Sequence, residues 1–464
     1  MALQRAIDLY HELLEPQLAA DSQGQLEEQL RRRGLFFGDR PLCTVLRPRL
    51  LRQAEYAFLQ RTGAHLLRAF EAVGRRALDD DALRAQFGLT GWEEELVRDE
   101  PGFPATSPVS RLDSFFTKED SAAGGAEPGD PALRGLYFTE YNAESPAGAA
   151  YNDVLSEVFH ALPAVRRFQR TWELRPLPAR HHTLHALLDA WEAWSGGRRR
   201  PRVCILDWAE VPTYSEFLLF QAYFRRQGLD CVIADPRHCE YRDGKLWAEG
   251  APVDLIYKRV LISELIERGG MEQPVVRAVR DRAACLVNPF RCKILHKKAS
   301  LAVLSDERNH HLLDAGARAA VLAHVPWTRV VEERTTVRDG RTVDLLESVV
   351  KEKDRFVLKP NDEYGGKGIV LGWEVEQVAW EAALRTALGE PYIVQERVAL
   401  PSEPYPHWDG GSVEVASRML DTAPYAANGA YVDGCLTRLS TAALLNVTAG
   451  GGSTVPTFVA EPRS

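Results

Sequence analysis

The stretch "FVLKPNDEYGGKGIVLG", residues 356–372, puts one lysine at the end of an apolar run and a second inside Gly-Gly-Lys-Gly. Phe356-Val357-Leu358 and Ile369-Val370-Leu371 both read as strands, so Gly365, Gly366 and Gly368 fall in a turn between them. Glycines in such a turn let backbone N–H groups approach a ligand closely. With Lys359 and Lys367 beside them, the ligand to expect is an anion such as a polyphosphate. A plain surface hairpin would carry the same glycines, so neighbouring stretches have to decide.

Two common phosphate loops are excluded. A Walker loop needs its first glycine at position 361, which is Asn361, and Ser or Thr after Lys367, which is followed by Gly368. That loop and the dinucleotide fingerprint also run into a helix, whereas this turn runs into a strand. A glycine hairpin over phosphates, with a lysine on the incoming strand, serves protein kinases and ATP-grasp enzymes. The kinase signatures H-R-D-x-x-x-x-N and D-F-G are missing from the sequence.

The 464 residues allow about three domains. Hydrophobic and charged fractions of 45% and 26% are ordinary for a globular chain, and a net charge of −8 argues against nucleic acid or an anionic membrane as partner. No apolar run reaches spanning length, and "MALQRAIDLYHELLEP" reads as an amphipathic helix and not as a signal peptide. The 7 cysteines form no C-x-x-C pair, which fits reduced thiols and a cytoplasmic location. His181, His182 and His185, and the pair His310-His311, have no Cys or carboxylate at zinc spacing, so surface or hydrogen-bonded histidines are expected.

Residues 1–108 carry helical spacing throughout and are expected to form a mostly helical segment. "RLDSFF" and "GLYFTEYN" read as a hairpin interrupted by the acidic Gly/Pro-rich loop 117–135, and helices follow, so 109–197 forms a second unit. "RVCILDW", the helix "YSEFLLFQAYFRRQG" and "LDCVIADP" make a βαβ unit of a parallel sheet within 198–287, and "KLWAEGAPVDLIYKRV" adds another buried strand. The basic run 198–202 reads as a solvated linker. Residues 288–464 begin with a Lys-rich turn and the helix "KASLAVLSDERNHHLLDAG", then mix strands and helices.

Three stretches bear on the phosphate question. "PYIVQERVALPS" is a buried strand ending in Gln395-Glu396, the place for an adenine-facing hinge. "YFTEYNAESPAG" puts Glu140 and Asn142 two apart, hence on one strand face, a pair of oxygen donors suited to Mg²⁺. "SRLDSFF" repeats that spacing with Arg111 and Asp113. The solvent face of an antiparallel hairpin would explain the same alternation.

Together these residues resemble the circularly permuted ATP-grasp proteins, which include glutathionylspermidine synthetase-like carboxylate–amine ligases. The permuted order is carried by Glu140 and Asn142 preceding Lys359 by about two hundred residues. The resemblance implies an α/β (α+β) fold: permuted ATP-grasp lobes, a Rossmann-like domain before them and a helical N-terminal segment. It implies ATP and Mg²⁺ as cofactors, with Asp113, Glu140 and Asn142 as metal ligands and Arg111 as a phosphate contact. "HKKASLAVL" supplies the first ATP lysine, Lys298 or its neighbour Lys297, and Lys359 is the second. Gly365, Gly366, Lys367 and Gly368 form the flexible loop, and Gln395 and Glu396 the adenine hinge. In "CLTRLSTAALLNVTAGGGSTVPTFV" (435–459), Arg438 and Asn446 face the acyl phosphate or its acceptor, with Gly450–Gly452 as a substrate-side loop. The implied activity is ADP-forming ligation of a small-molecule or peptide carboxylate to an amine. A phosphotransferase and a non-catalytic nucleotide-binding protein are the alternatives. Partners are the two substrates, without nucleic acid or membrane, and self-association is left open.

Overall fold

The computed structural model describes residues 2–117, 135–197, 199–363, 365–441 and 452–463. Asn446, Gly450 and Gly451 lie outside the described residues.

The βαβ expectation is met by a four-stranded sheet in the order Cys285–Val287, Leu255–Lys258, Val203–Leu206, Cys231–Ala234, all parallel. Apolar side chains cover both faces, as a buried parallel sheet requires. The helix Tyr214–Arg226 turns Phe217, Phe220 and Phe224, spaced at i, i+3 and i+7, into one of them. "KLWAEGAPVDLIYKRV" divides, because Lys245–Ala248 pairs antiparallel with Ala251–Val253 and only Leu255–Lys258 joins the parallel sheet. The basic run is more than a linker. Arg199 clamps Asp254 at 2.5 and 2.6 Å, and Arg202 reaches Asp230 at 3.0 Å, so the arginines pin the ends of neighbouring strands.

A second, antiparallel sheet runs Thr328–Val330, Tyr392–Glu396, Phe356–Pro360, Val370–Leu371. It is packed against Trp380 and Leu384 of the helix Gln377–Gly389 and against Leu345 and Val349. Here Val357 pairs with Leu371 and Leu358 with Val370, the hairpin expected from residues 356–372. The helix expected from Ala299 ends early, at Ser305. Asp306 then accepts the Arg308 N–H at 3.0 Å and starts a separate turn, Glu307–Leu312.

The largest sheet joins the two ends of the sequence. Its order is Ser402–Trp408, Val413–Leu420, Tyr431–Ser440, Ala423–Ala427, Val109–Phe116, Leu136–Asn142, with Ser453–Pro462 also beside Tyr431–Ser440. The Val109–Phe116 and Leu136–Asn142 strands form the early hairpin, and Tyr425 pairs with Arg111 across the seam to the C-terminal strands. The N-terminal helices are stitched in too, because Arg49–Leu51 runs parallel to Ser453–Pro462. Asn288, just after the parallel sheet, bonds Val109 N and O at 2.9 and 2.6 Å, tying that sheet to the hairpin.

The 27-residue helix Gln53–Asp79 sits in the principal core beside the hairpin. Its Phe70 ring stacks on Tyr141, centroids 4.2 Å apart, between the positions of Glu140 and Asn142. Phe70 is fully buried. Phe70→Ala is expected to lower the unfolding free energy by about 3–5 kcal/mol, read from urea denaturation, because the lost ring leaves a cavity behind the strand.

Candidate functional site

A cleft of about 540 Å³ is lined by both the small antiparallel sheet and the large sheet. Its apolar lining includes Val357, Ile369, Leu371, Trp373, Leu400 and Met419. Its polar lining brings together Asp113, Glu140, Lys359, Gln395, Asp421 and Arg438. Residues distant in the chain therefore face one volume.

The hairpin register is Arg111 opposite Asn142 and Asp113 opposite Glu140, after which it slips so that Ser114 faces Phe138 and Thr139 is the extra residue. Regular strands send successive side chains to opposite faces, whereas a bulge re-aims one. Thr139 and Glu140 accordingly both line the cleft, and the Thr139 carbonyl lies 3.4 Å from the Lys359 ammonium.

Asp113 is more constrained than the reading of a metal ligand anticipated. Its carboxylate accepts from Arg111 at 2.7 and 3.0 Å, from Arg438 Nη2 at 2.7 Å and from Asn142 Nδ2 at 3.0 Å. Burial alone would push the Asp113 carboxyl up, but the Arg111 and Arg438 guanidiniums outweigh it and hold the group well below the usual carboxylate range. Arg438 also bonds Asp421, Nε to Oδ2 at 2.6 Å, and Asp421 is buried. Burial, with Asp113 nearby, raises the Asp421 carboxyl against the pull of Arg438. Two carboxylates and two guanidiniums thus balance in a tight quartet. Asn142 directs its amide hydrogen to Asp113, and Arg111 is buried and also holds the Ala147 carbonyl at 2.7 Å. Glu140 is the half-exposed carboxylate of the set, and Lys298 Nζ is 3.6 Å away.

The two neighbouring lysines separate. Lys298 reaches Glu140 and the Glu363 carbonyl, and Asn361 fixes its backbone through Lys298 N–O at 2.9 Å and Ala299 N–Oδ1 at 2.8 Å. Lys297 turns into a buried ion cluster, 2.7 Å from Glu93 and 3.0 Å from Asp362. Lys359 donates to Gln395 Oε1 at 2.7 Å, and Gln395 in turn donates to Thr328 at 3.1 Å. Desolvation lowers the Lys359 ammonium to about 8, against the opposite pull of Glu140.

Gly365, Gly366 and Gly368 have φ of 70°, 78° and 68°, a region that other residues seldom adopt, and Lys367 sits in the same turn. A Cβ at Gly368 would come within 2.6 Å of Pro360. Glu396 ends its strand with N–H donated to the Trp327 carbonyl at 2.8 Å, while its carboxylate pairs with Arg355 at 2.5 Å. Sequence reasoning missed Asp421, Thr139, Trp373 and Arg397. The Arg397 guanidinium lies 4.2 Å over the Trp373 ring, and both line the cleft. Trp373 follows the glycine hairpin and had a positional signal; Asp421 in "MLDTAPY" had none.

No family model matches the chain. It is 25% identical over 488 residues to a protein of Frankia alni named "Putative glutamate--cysteine ligase 2-3", covering 97% of this chain and 51% of that one. It is 26% identical over 479 residues to "Putative glutamate--cysteine ligase 2-2" of Frankia casuarinae, again covering 97% and 51%. The chain spans about half the length of these relatives. Among solved structures, the apo form of a glutathione synthetase-like effector from Globodera pallida shares the fold. The TM-score is 0.59 at 11% identity, over 96% of this chain and 98% of that one. The mixed α/β architecture is therefore shared with that structure along almost the whole of both chains.

A lysine whose ammonium is disfavoured by burial destabilises the fold whenever it must stay charged. Folded Lys359 titrates at about 8, an unfolded lysine at about 10.4. Below the folded value the cost is fully present, and it disappears as pH rises from one value to the other. Lys359→Met is expected to unfold at a higher temperature than the parent at pH 7, with the gap narrowing as pH is raised. A gap constant with pH would count against a buried charge at this position.

Proposed function

We propose that this chain is an ADP-forming ligase that uses ATP and Mg²⁺ to join a carboxylate to an amine on a circularly permuted ATP-grasp fold. The division would be a helical segment at 1–108, the hairpin unit at 109–197, a Rossmann-like domain at 198–287 and the ATP-grasp lobes at 288–464. One observation carries the reading. Glu140 and Asp113, from the early hairpin, line the same cleft as Lys359 and Arg438, from the later strands. The relatives named as ligases support it, as does the glutathione synthetase-like fold.

In this reading the apolar lining takes the adenine, with the strand end at Gln395-Glu396 as hinge, and the phosphates lie toward Lys359 and Lys298. The charges favour that end: the Asp113–Asp421–Arg111–Arg438 quartet is balanced, leaving Glu140 against two lysines. The donor set fits Mg²⁺ at Glu140, whose half-exposed carboxylate can share a cation with nucleotide phosphates, the usual composition of such sites. Asp113 would contribute the second carboxylate from beside its arginines. Bound there, Mg²⁺ supplies charge neutralisation on the transferred phosphoryl group.

The substrate carboxylate oxygen attacks the γ-phosphorus and ADP leaves. The amine then attacks the acyl carbon, losing a proton as phosphate departs. Lys359 and Lys298 offset the developing negative charge, and Arg438, fixed by Asp421 and Asp113, presents its guanidinium toward the acyl group. The positive-φ glycines let the 365–368 turn come down over the phosphates and exclude water, which would hydrolyse an acyl phosphate. Positioning and preset charge suffice, so no protein nucleophile is needed.

Glutamate and cysteine, taken from the names of the relatives, are the first acid and amine to supply. Phosphate release from ATP is expected only when both are present. Glu140→Gln is expected to slow it about 10²–10³-fold without moving the unfolding midpoint. Hydroxylamine in place of the amine should yield a hydroxamate. A stable phosphorylated product without hydroxamate would instead favour the phosphotransferase.

A further inference from the structure

His181 and His182 open the helix Arg180–Ser195, and the carboxylate that joins them comes from far along the sequence. The fold supplies the missing group. Asp433, on the strand Tyr431–Ser440, comes within 3.0 Å of His182 Nε2, and ligand atoms of His181, His182 and Asp433 all lie within 4.8 Å of one another. The three side chains are half-buried, so they are reachable from solvent yet shielded enough for a bound cation to matter.

We propose that His181, His182 and Asp433 form a binding site for a borderline transition-metal dication, Zn²⁺ being the best match. Two neutral imidazoles and a carboxylate are a donor set that suits Zn²⁺ and leaves a fourth position for water. Tetrahedral Zn²⁺ places neighbouring donors roughly 3.4 Å apart, so the His182–Asp433 pair is already closer than the cation would set it, and the group as a whole spans no more than 4.8 Å. Mg²⁺, which prefers oxygen donors, is not expected there.

The surroundings favour the assignment. Asp433 accepts from the Tyr56 hydroxyl and from Gly434 N–H at 2.9 Å through Oδ1, and Tyr431 donates to Oδ2 at 3.3 Å. Outer hydrogen bonds of this kind fix a ligating carboxylate in place. The 7 cysteines are all buried free thiols, Cys435 two residues beyond Asp433 included, and none joins this group of ligand atoms among the described residues. A bound cation would cross-link the helix Arg180–Ser195 to the strand that carries Arg438.

The test is calorimetric titration of the tag-free, chelator-treated protein with Zn²⁺ in excess Mg²⁺, which covers the nucleotide cleft. One Zn²⁺ per chain is expected, with the unfolding temperature raised by Zn²⁺. His181→Ala and His182→Ala should each weaken binding by about tenfold or more. His311→Ala, at the unrelated histidine pair, should leave it unchanged. X-ray absorption of the bound metal should report two imidazoles. Absence of binding in the parent protein, or binding by either His→Ala variant as tight as the parent's with circular dichroism unchanged, would overturn the assignment.

Discussion

The Asp113 carboxylate lies between two guanidiniums, Arg111 from its own strand and Arg438 from a strand more than three hundred residues later in the chain. Everything at the cleft depends on that contact. It joins the early hairpin to the C-terminal strands at the point where both contribute side chains to one volume, and Asp421 closes the set from the other side of Arg438. Removing one partner of a buried ion pair leaves a bare charge and costs about 3–5 kcal/mol, so such a quartet fixes geometry even where its net contribution to stability is small. Backbone pairing alone, Tyr425 opposite Arg111, sets the register; the quartet holds the side chains in it.

Around the quartet the cleft holds local arrangements that depart from the regular pattern of their elements. Lys359 keeps an ammonium where desolvation opposes it. The hairpin breaks its alternation, and the consecutive residues Thr139 and Glu140 both line the cleft. Three glycines take left-handed φ values in four residues. Each is a small local cost held in place by surrounding structure, a pattern common at functional sites. A second layer supports them. Asn361 fixes the backbone entering the Lys298 helix, and Lys293 and Lys297 anchor Asp362 just before the glycine turn. The first lysine and the glycine hairpin are thereby set by the same short segment.

Much of the architecture was legible because it rests on local periodicity. The βαβ unit, the 27-residue helix and the glycine hairpin each carry their signal within one element, and the apolar spacing of Phe217, Phe220 and Phe224 is enough to orient a helix. Where reading failed, a polar group acted against the local pattern. Asp306 caps a new turn inside an apparently continuous helix, and Arg199 and Arg202 leave a basic run to hold strand ends.

The sequence by itself determined which residue types were available: a lysine before a glycine turn, carboxylates two apart from other polar groups, histidines in a row. Only the tertiary structure decided how each was used. It turned Lys298 toward Glu140 and Lys297 into an ion cluster, though the two are adjacent and chemically identical. It brought Asp421 to Arg438 and Asp433 to His182 from positions with no motif. The reason is physical. Periodicity reports which face of an element is buried, and that is fixed within a few residues. A charged side chain takes its role from the partner it meets in a low dielectric, and the partner is chosen by sheet pairing across hundreds of residues.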